Sequence, residues 1–460
     1  MNNYIFITRD FHPLPIADRL MDDGKRVVVG MVKDEENPKT PKGKSESRLS
    51  LYDGIFEKQS ADDVIEWMAT IENKDEWFVM FDYGDLWEYS QKALDMGFTK
   101  GVFPTEEGYT LEKDRQAGKD FAKKYYPELK VAEVSEFQKV EDALAFLEEN
   151  PDKIFVLKSE GSNAETVVPD TPDPELARRQ LSGALTTEAA EYERGGFTLE
   201  EKIKKPVELT PVMVFWDGVP LFSVVEIENK PLGSGNIGRL TGGCQDLTIQ
   251  TRLDCELNKI AFPPIIYEMA KKQPGISIFD AGLLFDGNDF YFTEFCANRW
   301  GFDGMFAEIA MCGDKNGRLS VVNHFDLIAE GKNPLKWKFG SAVRMFQTEP
   351  NGKEPDMYEG EYTMDWLNEV SERLFFYCIK KMEGESEEKK RFVSVGYDKD
   401  LGCATGAGNT IDDCVRKVYD AIDGFVMTGV YYRPKFDFLS RAYFTSILNR
   451  YDFLINSDLL

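Results

Sequence analysis

The sequence predicts a multidomain chain, with a doubly wound α/β domain at the N-terminus and α+β structure beyond it. Three observations carry this expectation. The chain has 460 residues, about three times the length of an ordinary domain. Over the first hundred residues strand and helix patterns alternate, as they do in a parallel sheet closed by crossover helices. After about residue 110 strands come in adjacent pairs joined by Gly-containing turns, the mark of antiparallel hairpins.

In the N-terminal unit, residues 4–8 (YIFIT) form a short apolar run and 16–21 have a helical pattern. Residues 26–32 (RVVVGMV) are a second β-branched run. Residues 33–50, polar and rich in Lys, Pro and Ser, read as an exposed loop. Residues 77–81 (WFVMF) make a third buried strand, followed by a helix over 86–96.

The second unit opens with an amphipathic, Lys-rich helix over 111–126 and a short helix over 140–149. A strand over 154–158 (IFVLK), a charged helical stretch over 175–193 and a strand over 197–203 come next. Runs 211–216 and 221–227 flank Asp217-Gly218, and runs 276–285 and 290–295 flank Asp286-Gly287-Asn288. Both are hairpin signals. The last third carries strands over 341–347 and 391–397, and a solvated loop over 383–390 (EGESEEKK). It also holds a helix opened by Thr410 with Asp413 three residues on, with Ile411, Val415, Val418 and Ile422 on one face and Gly424 at its end.

Composition excludes several partners. Lys and Arg total 55 against 81 Asp and Glu, a net charge of −26, whereas nucleic acid and anionic membranes require a positive face. No apolar stretch is long enough to span a bilayer. Only His12 and His324 are present, which disfavours His-ligated metals and a His-centred triad. Seven scattered Cys without a CxxC, and a charge too early for a signal peptide, point to a reducing cytoplasm with buried thiols.

Four features bear on chemistry. Gly233-Ser-Gly235-Asn-Ile-Gly238 matches GxGxxG, but Arg239-Leu-Thr-Gly242-Gly243 follows and cannot open the helix that a dinucleotide turn needs. Its glycines suit close backbone approach to a ligand or, equally, a tight multi-turn crossover. Glu294, with Asn298 and Arg299 just beyond, offers oxygen ligands and a guanidinium for Mg²⁺-bridged phosphates, although most strand-end acids are simply exposed. Lys158 closes an apolar strand, where it either snorkels to solvent or meets a phosphate. Glu200 and Glu201 lie on opposite faces of a strand, one toward solvent and one available to a ribose or adenine donor.

Taken in order, VLKSEG, LEEKI, VELTPVMVFWDG, GSGNIGRLTGG, DAGLLFD and TEFCANRWG resemble the ATP-grasp ligases, and most closely the phosphoribosylamine–glycine ligase family. From Lys230 to Cys244 the chain reproduces that family's loop Lys and all five Gly (233, 235, 238, 242 and 243) at identical spacing. HFDLIAEGK (324–332) and the stretch 408–433 resemble the family's last domain. The resemblance implies an N-terminal domain over 1–110, an ATP-grasp domain of two α+β halves over 111–333 with a lid half at about 125–197, and a C-terminal α+β domain over 334–460.

It also implies ATP and Mg²⁺ (or Mn²⁺) as cofactors, and amide formation between a carboxylate and an amine through an acyl phosphate. Carried across by position, Lys158 contacts the ATP phosphates and Arg115, or Lys113 if the helix slips, supplies the earlier cation. Glu200, Glu201, Lys202 and Ile203 form the adenine hinge, and Glu208 binds the ribose. Lys230, Gly233, Gly235, Asn236, Gly238, Thr241 and Gly242 line the carboxylate pocket. Glu294 and Asn298 ligate the metal, and Arg299 meets the acyl phosphate. The implied partners are small molecules, an amino acid or other carboxylate and an amine that is phosphorylated in the family's own reaction; the chain is expected as a monomer or homodimer.

The chain departs from the family at four places. The lid reads Gly161 to Val168 with one Gly, no Lys and an acidic Glu165, and two loop aspartates are replaced by Ser234 and Asn236. One residue is inserted between Glu294 and Arg299, and Asp10-Phe11-His12-Pro13 replaces a Gly-containing N-terminal loop. These changes leave two expectations: a ligase with a different acid or amine, or a nucleotide-binding or assembly scaffold that has lost turnover.

Overall fold

The computed structural model describes residues 1–9, 12–32, 51–159, 166–169, 171–203, 207–234, 237–313, 320–347, 360–363, 372–381, 391–394, 400–424 and 429–435. The chain divides into two compact units. One comprises Met1–Glu112, Thr210–Ala281 and Phe295–Leu460, and the other Lys113–Leu209 and Gly282–Glu294.

The larger unit begins as the expected parallel sheet. Asn3–Thr8 pairs in parallel with Arg26–Met31 on one side and Trp77–Phe81 on the other; Gln59–Ser60 and Gly101–Val102 extend the two flanks. The apolar runs are central because both of their faces are covered: every residue of Trp77–Phe81 is buried. Helix Ala61–Met68 packs Val64, Ile65 and Met68 into the core with Ile5, Val79 and Phe81. Its N-terminus is capped by Ser60, whose hydroxyl accepts the Asp63 N–H at 3.1 Å.

One more parallel pairing, Val102 with Ile276, precedes the antiparallel part, which runs from Val207–Trp216 onward. From Gly101–Val102 it passes to Ile276–Phe285, then to Val207–Trp216, Val219–Gly233, Ile237–Thr251, Phe339–Gln347, Asp400–Gly408 and Leu374–Phe376. Asp217 and Gly218, at φ 46° and 77°, make the tight turn between Val207–Trp216 and Val219–Gly233. Helix Ile411–Asp423 begins as expected, with the Thr410 hydroxyl accepting the Asp413 N–H at 3.2 Å.

The smaller unit has an antiparallel sheet with Phe197–Glu201 between Val134–Phe137 and Phe155–Ser159. Helices Val140–Glu149 and Pro174–Thr187 bury Ala143, Leu147, Leu181 and Leu185 against it. The Asp286 turn is closed by its carboxylate, which accepts the N–H groups of Asn288 and Asp289, each at 2.9 Å.

Several elements differ from expectation. The helix over 111–126 is two helices, Glu106–Lys113 and Arg115–Tyr125, because extended Asp114 caps the second by accepting the Ala117 N–H at 3.0 Å. The glycine-rich run is not a free loop. It forms the end of a long hairpin whose register shifts at Pro231 and Gly233. Asp400–Gly408 and helix Phe302–Cys312 are buried elements that the sequence pattern did not reveal. The loops over 33–50 and 383–390, the end of the strand over 391–397, and Asp10, Phe11, Glu165, Gly235 and Asn236 lie outside the described residues. All seven Cys are buried and unbridged. Among the described residues no helix is long and apolar enough to cross a membrane.

Candidate functional site

In the smaller unit a carboxylate is held by two lysines. Glu200 and Lys158 lie on one sheet face because Val156 is opposite Glu200 and Lys158 opposite Thr198, which makes them diagonal cross-strand neighbours. Lys158 Nζ donates to Glu200 Oε2 at 2.6 Å, and Lys119 Nζ to Oε1 at 2.8 Å. Lys119, on helix Arg115–Tyr125, was not singled out from the sequence. Its only signal is a Lys on the apolar side of that helix, near Ala122. Burial pushes the Glu200 carboxyl up, but Lys158 and Lys119 outweigh it and hold the group below the usual carboxylate range. Two lysines meet on one carboxylate in a partly desolvated place, which suits a phosphate.

The neighbouring expected residues divide by face. Glu201 points outward to Lys153, at 2.8 Å, while Lys202 donates its N–H to Ile154 O at 2.8 Å and its side chain to Pro169 O. Ile203 and Glu208 are half-buried; Arg115 opens the helix that carries Lys119. Glu294 is exposed on strand Phe290–Ala297.

In the larger unit, Asn298 adopts the left-handed region at φ 56° and donates its N–H to Ile278 O at 2.7 Å. Its side chain is buried, with Oδ1 lacking a hydrogen-bond partner among the described residues. An orphan amide oxygen of this kind fits a hard cation, although no group of three or more His, Cys, Asp or Glu among the described residues is disposed to hold a metal. Arg299 donates Nε to Glu112 Oε2 at 2.8 Å and Nη2 to Cys296 Sγ at 3.0 Å. Glu112 is a second residue that the sequence reading missed.

On the glycine-rich hairpin, Lys230 lies 3.4 Å from Glu228. Thr241 Oγ1 donates to Lys230 O at 2.7 Å and accepts the Gly243 N–H at 3.2 Å, which ties the two strands together beside Gly242. Gly233 closes the first strand, and Gly238 lies on the second.

No family model matches the chain. Over 352 residues it is 22% identical to phosphoribosylamine–glycine ligase of Clostridium acetobutylicum, covering 75% of this chain and 79% of that ligase. The phosphoribosylamine–glycine ligase of Thermotoga maritima superposes with a TM-score of 0.61 at 16% identity, covering 94% of this chain and 99% of the other. The chain has the ATP-grasp fold and resembles phosphoribosylamine–glycine ligase. A second ATP-grasp neighbour, a biotin carboxylase of Campylobacter jejuni in a βγ-ATP complex, gives a TM-score of 0.60 at 13% identity and covers 99% of both chains. That fold accounts for the parallel N-terminal sheet, the small lysine-bearing unit and the long antiparallel sheet as parts of one architecture.

Proposed function

We propose that the chain is an ATP- and Mg²⁺-dependent carboxylate–amine ligase that forms an amide bond through an acyl phosphate. The observation that carries this reading is the pair of lysines on Glu200, Lys119 buried and Lys158 half-buried, in a chain with the ATP-grasp fold. Two ammonium groups sharing one carboxylate are placed to donate to phosphate oxygens, and both stay hydrogen-bonded to Glu200 when the nucleotide departs.

In this reading Lys158 and Lys119, with Arg115, hold ATP phosphates, the backbone of Glu200 to Ile203 holds adenine, and Glu208 holds the ribose. Glu294 and Asn298 are the metal ligands, and Mg²⁺ supplies neutralisation of phosphate charge when bound. The γ-phosphoryl group passes to the substrate carboxylate, giving ADP and an acyl phosphate next to Arg299 and Lys230. The amine nitrogen then attacks the acyl carbon, phosphate leaves and the nitrogen loses a proton. Catalysis is positioning and charge neutralisation, with no covalent enzyme intermediate. The remaining inferences are cytoplasmic location and a monomer or homodimer.

The test is ATP-dependent phosphate release over a panel of carboxylates and amines. Release that requires both an acid and an amine supports the ligase; ATP binding without release supports the scaffold reading. One observation favours the scaffold: Arg299 is already engaged by Glu112.

A further inference from the structure

The glycine-rich hairpin carries a concentration of carboxylate on one face. Glu228 lies directly opposite Asp246, and Glu226 directly opposite Thr248. Because side chains alternate along a strand, these four residues share a face. Like charges placed directly opposite are destabilising unless something neutralises them. Glu228 has Lys230 and the Thr210 hydroxyl, at 3.4 and 3.1 Å. Glu226 is half-buried beside them, and Asp246 Oδ1 is buried without a hydrogen-bond partner among the described residues.

A second cation, Arg344, is already committed to other carboxylates. Arg344 makes a fork to Asp303, with Nε to Oδ2 at 2.9 Å and Nη2 to Oδ2 at 2.7 Å, and also reaches Asp400 at 3.4 Å. Glycines let the other carboxylates crowd in: a Cβ on Gly304 would lie 1.9 Å from Glu226 Oε1, and one on Gly243 would lie 2.9 Å from Asp246 Oδ2 and 3.3 Å from Asp303 Oδ2. A second observation is independent of the acids. Thr248, fully buried opposite Glu226, has its hydroxyl oxygen without a hydrogen-bond partner among the described residues.

The carboxyl edge of the parallel sheet, where an α/β fold binds phosphates, points the same way. The Thr8 hydroxyl donates to Asp82 Oδ2 at 2.5 Å, the Arg9 N–H to Asp82 Oδ1 at 3.0 Å, and the Arg9 guanidinium pairs with Asp85 at 2.8 Å. Asp82 takes the Thr8 hydroxyl and Arg9 N–H donors that an anion would use. This edge connects to the hairpin face through His12, whose ring lies 5.3 Å from that of Tyr377, and Tyr377 donates to Asp303 Oδ1 at 3.4 Å.

We propose that Glu226, Asp246 and Thr248 bind the cationic end of an unphosphorylated amine substrate, a diamine or a diamino acid whose other amine is acylated. The inference rests on the ligase reading and names its substrate class. An ammonium donates three hydrogen bonds and replaces the protons with which burial and mutual repulsion otherwise neutralise Glu226 and Asp246. Aliphatic diamines offer this geometry, and phosphoribosylamine, an anion at its far end, does not.

The probes are 1,4-diaminobutane, lysine, glycine, ribose 5-phosphate and Ca²⁺, titrated calorimetrically into the full chain with and without MgATP. Diaminobutane or lysine is expected to bind, and Asp246→Asn, Glu226→Gln and Thr248→Val each to weaken that binding, the charge removals by at least about tenfold. These changes are close to isosteric, and the melting temperature reports whether each variant folds. If none does, competition in the unmodified chain decides: ribose 5-phosphate must fail to displace the diamine. Binding of ribose 5-phosphate or Ca²⁺ at this face, or diamine binding indifferent to all three substitutions, overturns the proposal. Variant-sensitive diamine binding without any response to MgATP upholds this site and contradicts the ligase reading. A MgATP response without diamine or lysine binding does the reverse.

Discussion

Lys158 Nζ lies 2.6 Å from Glu200 Oε2, across two strands paired in register, and Lys119 completes the carboxylate from a helix. Lys158→Met is expected to weaken MgATP binding at least about tenfold, the cost of one charge-assisted contact. Lys119→Met should do the same even though it lies in no recognisable motif. Nucleotide titration by calorimetry checks both; wild-type affinity in the Lys119 variant would reduce that residue to a structural role.

How much of this cluster was legible in the sequence follows from geometry. A Lys ending an apolar strand and two adjacent acids on a neighbouring strand were visible as local patterns, and a single strand pairing brings Lys158 to Glu200. Lys119 was not visible, because its partner is 81 positions away and helix periodicity says nothing about distant pairs. Asp400–Gly408 was missed for a different reason. Its glycines are dictated by contact, since a Cβ on Gly402 would lie 2.4 Å from Phe375 O and one on Gly406 2.5 Å from Cys414 O. A strand built from small residues lacks the β-branched pattern that marks strands in sequence. The glycine-rich run was recognised by spacing, but its strand character depends on pairing partners.

Two glycines should respond in opposite directions. Gly402→Ala drives a methyl against the Phe375 carbonyl oxygen, 2.4 Å from where its Cβ would lie, and is expected to destabilise the chain by about 1–3 kcal/mol. Gly183→Ala, inside helix Pro174–Thr187 with open space around it, is expected to stabilise its unit by roughly 0.5–1 kcal/mol. Denaturant melts of the two variants check the contrast.

Glu308 and His324 make stability depend on pH from opposite sides. Both are buried; Trp300 Nε1 donates to Glu308 Oε2 at 3.0 Å, and His324 Nε2 lies 3.9 Å from the same oxygen. Burial pushes Glu308 up to about 8, opposed only by the Trp300 hydrogen bond, and burial pushes His324 down to about 3. Between the ordinary carboxylate pKa and about 8, the folded state holds a proton on Glu308 that the unfolded chain has lost, so this term falls as pH rises. For His324 the unfolded chain takes up a proton below about 6.5 that the fold refuses, so that term falls as pH drops toward about 3. The two slopes oppose each other in mildly acidic solution, and above about pH 6.5 only the Glu308 loss remains. Thermal melts of Glu308→Gln should lack the decline between neutral and mildly alkaline pH that the native chain shows. An equal decline in both assigns it to other groups.

Arg299→Lys keeps the charge but loses the planar fork that meets Glu112 and Cys296. Turnover is expected to fall about a hundredfold while MgATP affinity is maintained, the pattern of a group that acts on developing charge rather than on nucleotide binding. Loss of ATP affinity instead would place Arg299 with the nucleotide.

The most direct test is phosphate release from ATP by the full chain, measured with a carboxylic acid panel in the presence and absence of 1,4-diaminobutane or lysine. The account predicts release that requires Mg²⁺, an acid and the amine together, with stoichiometric ADP and amide product. ATP binding with no release under any combination, or release with glycine and phosphoribosylamine alone, would contradict it.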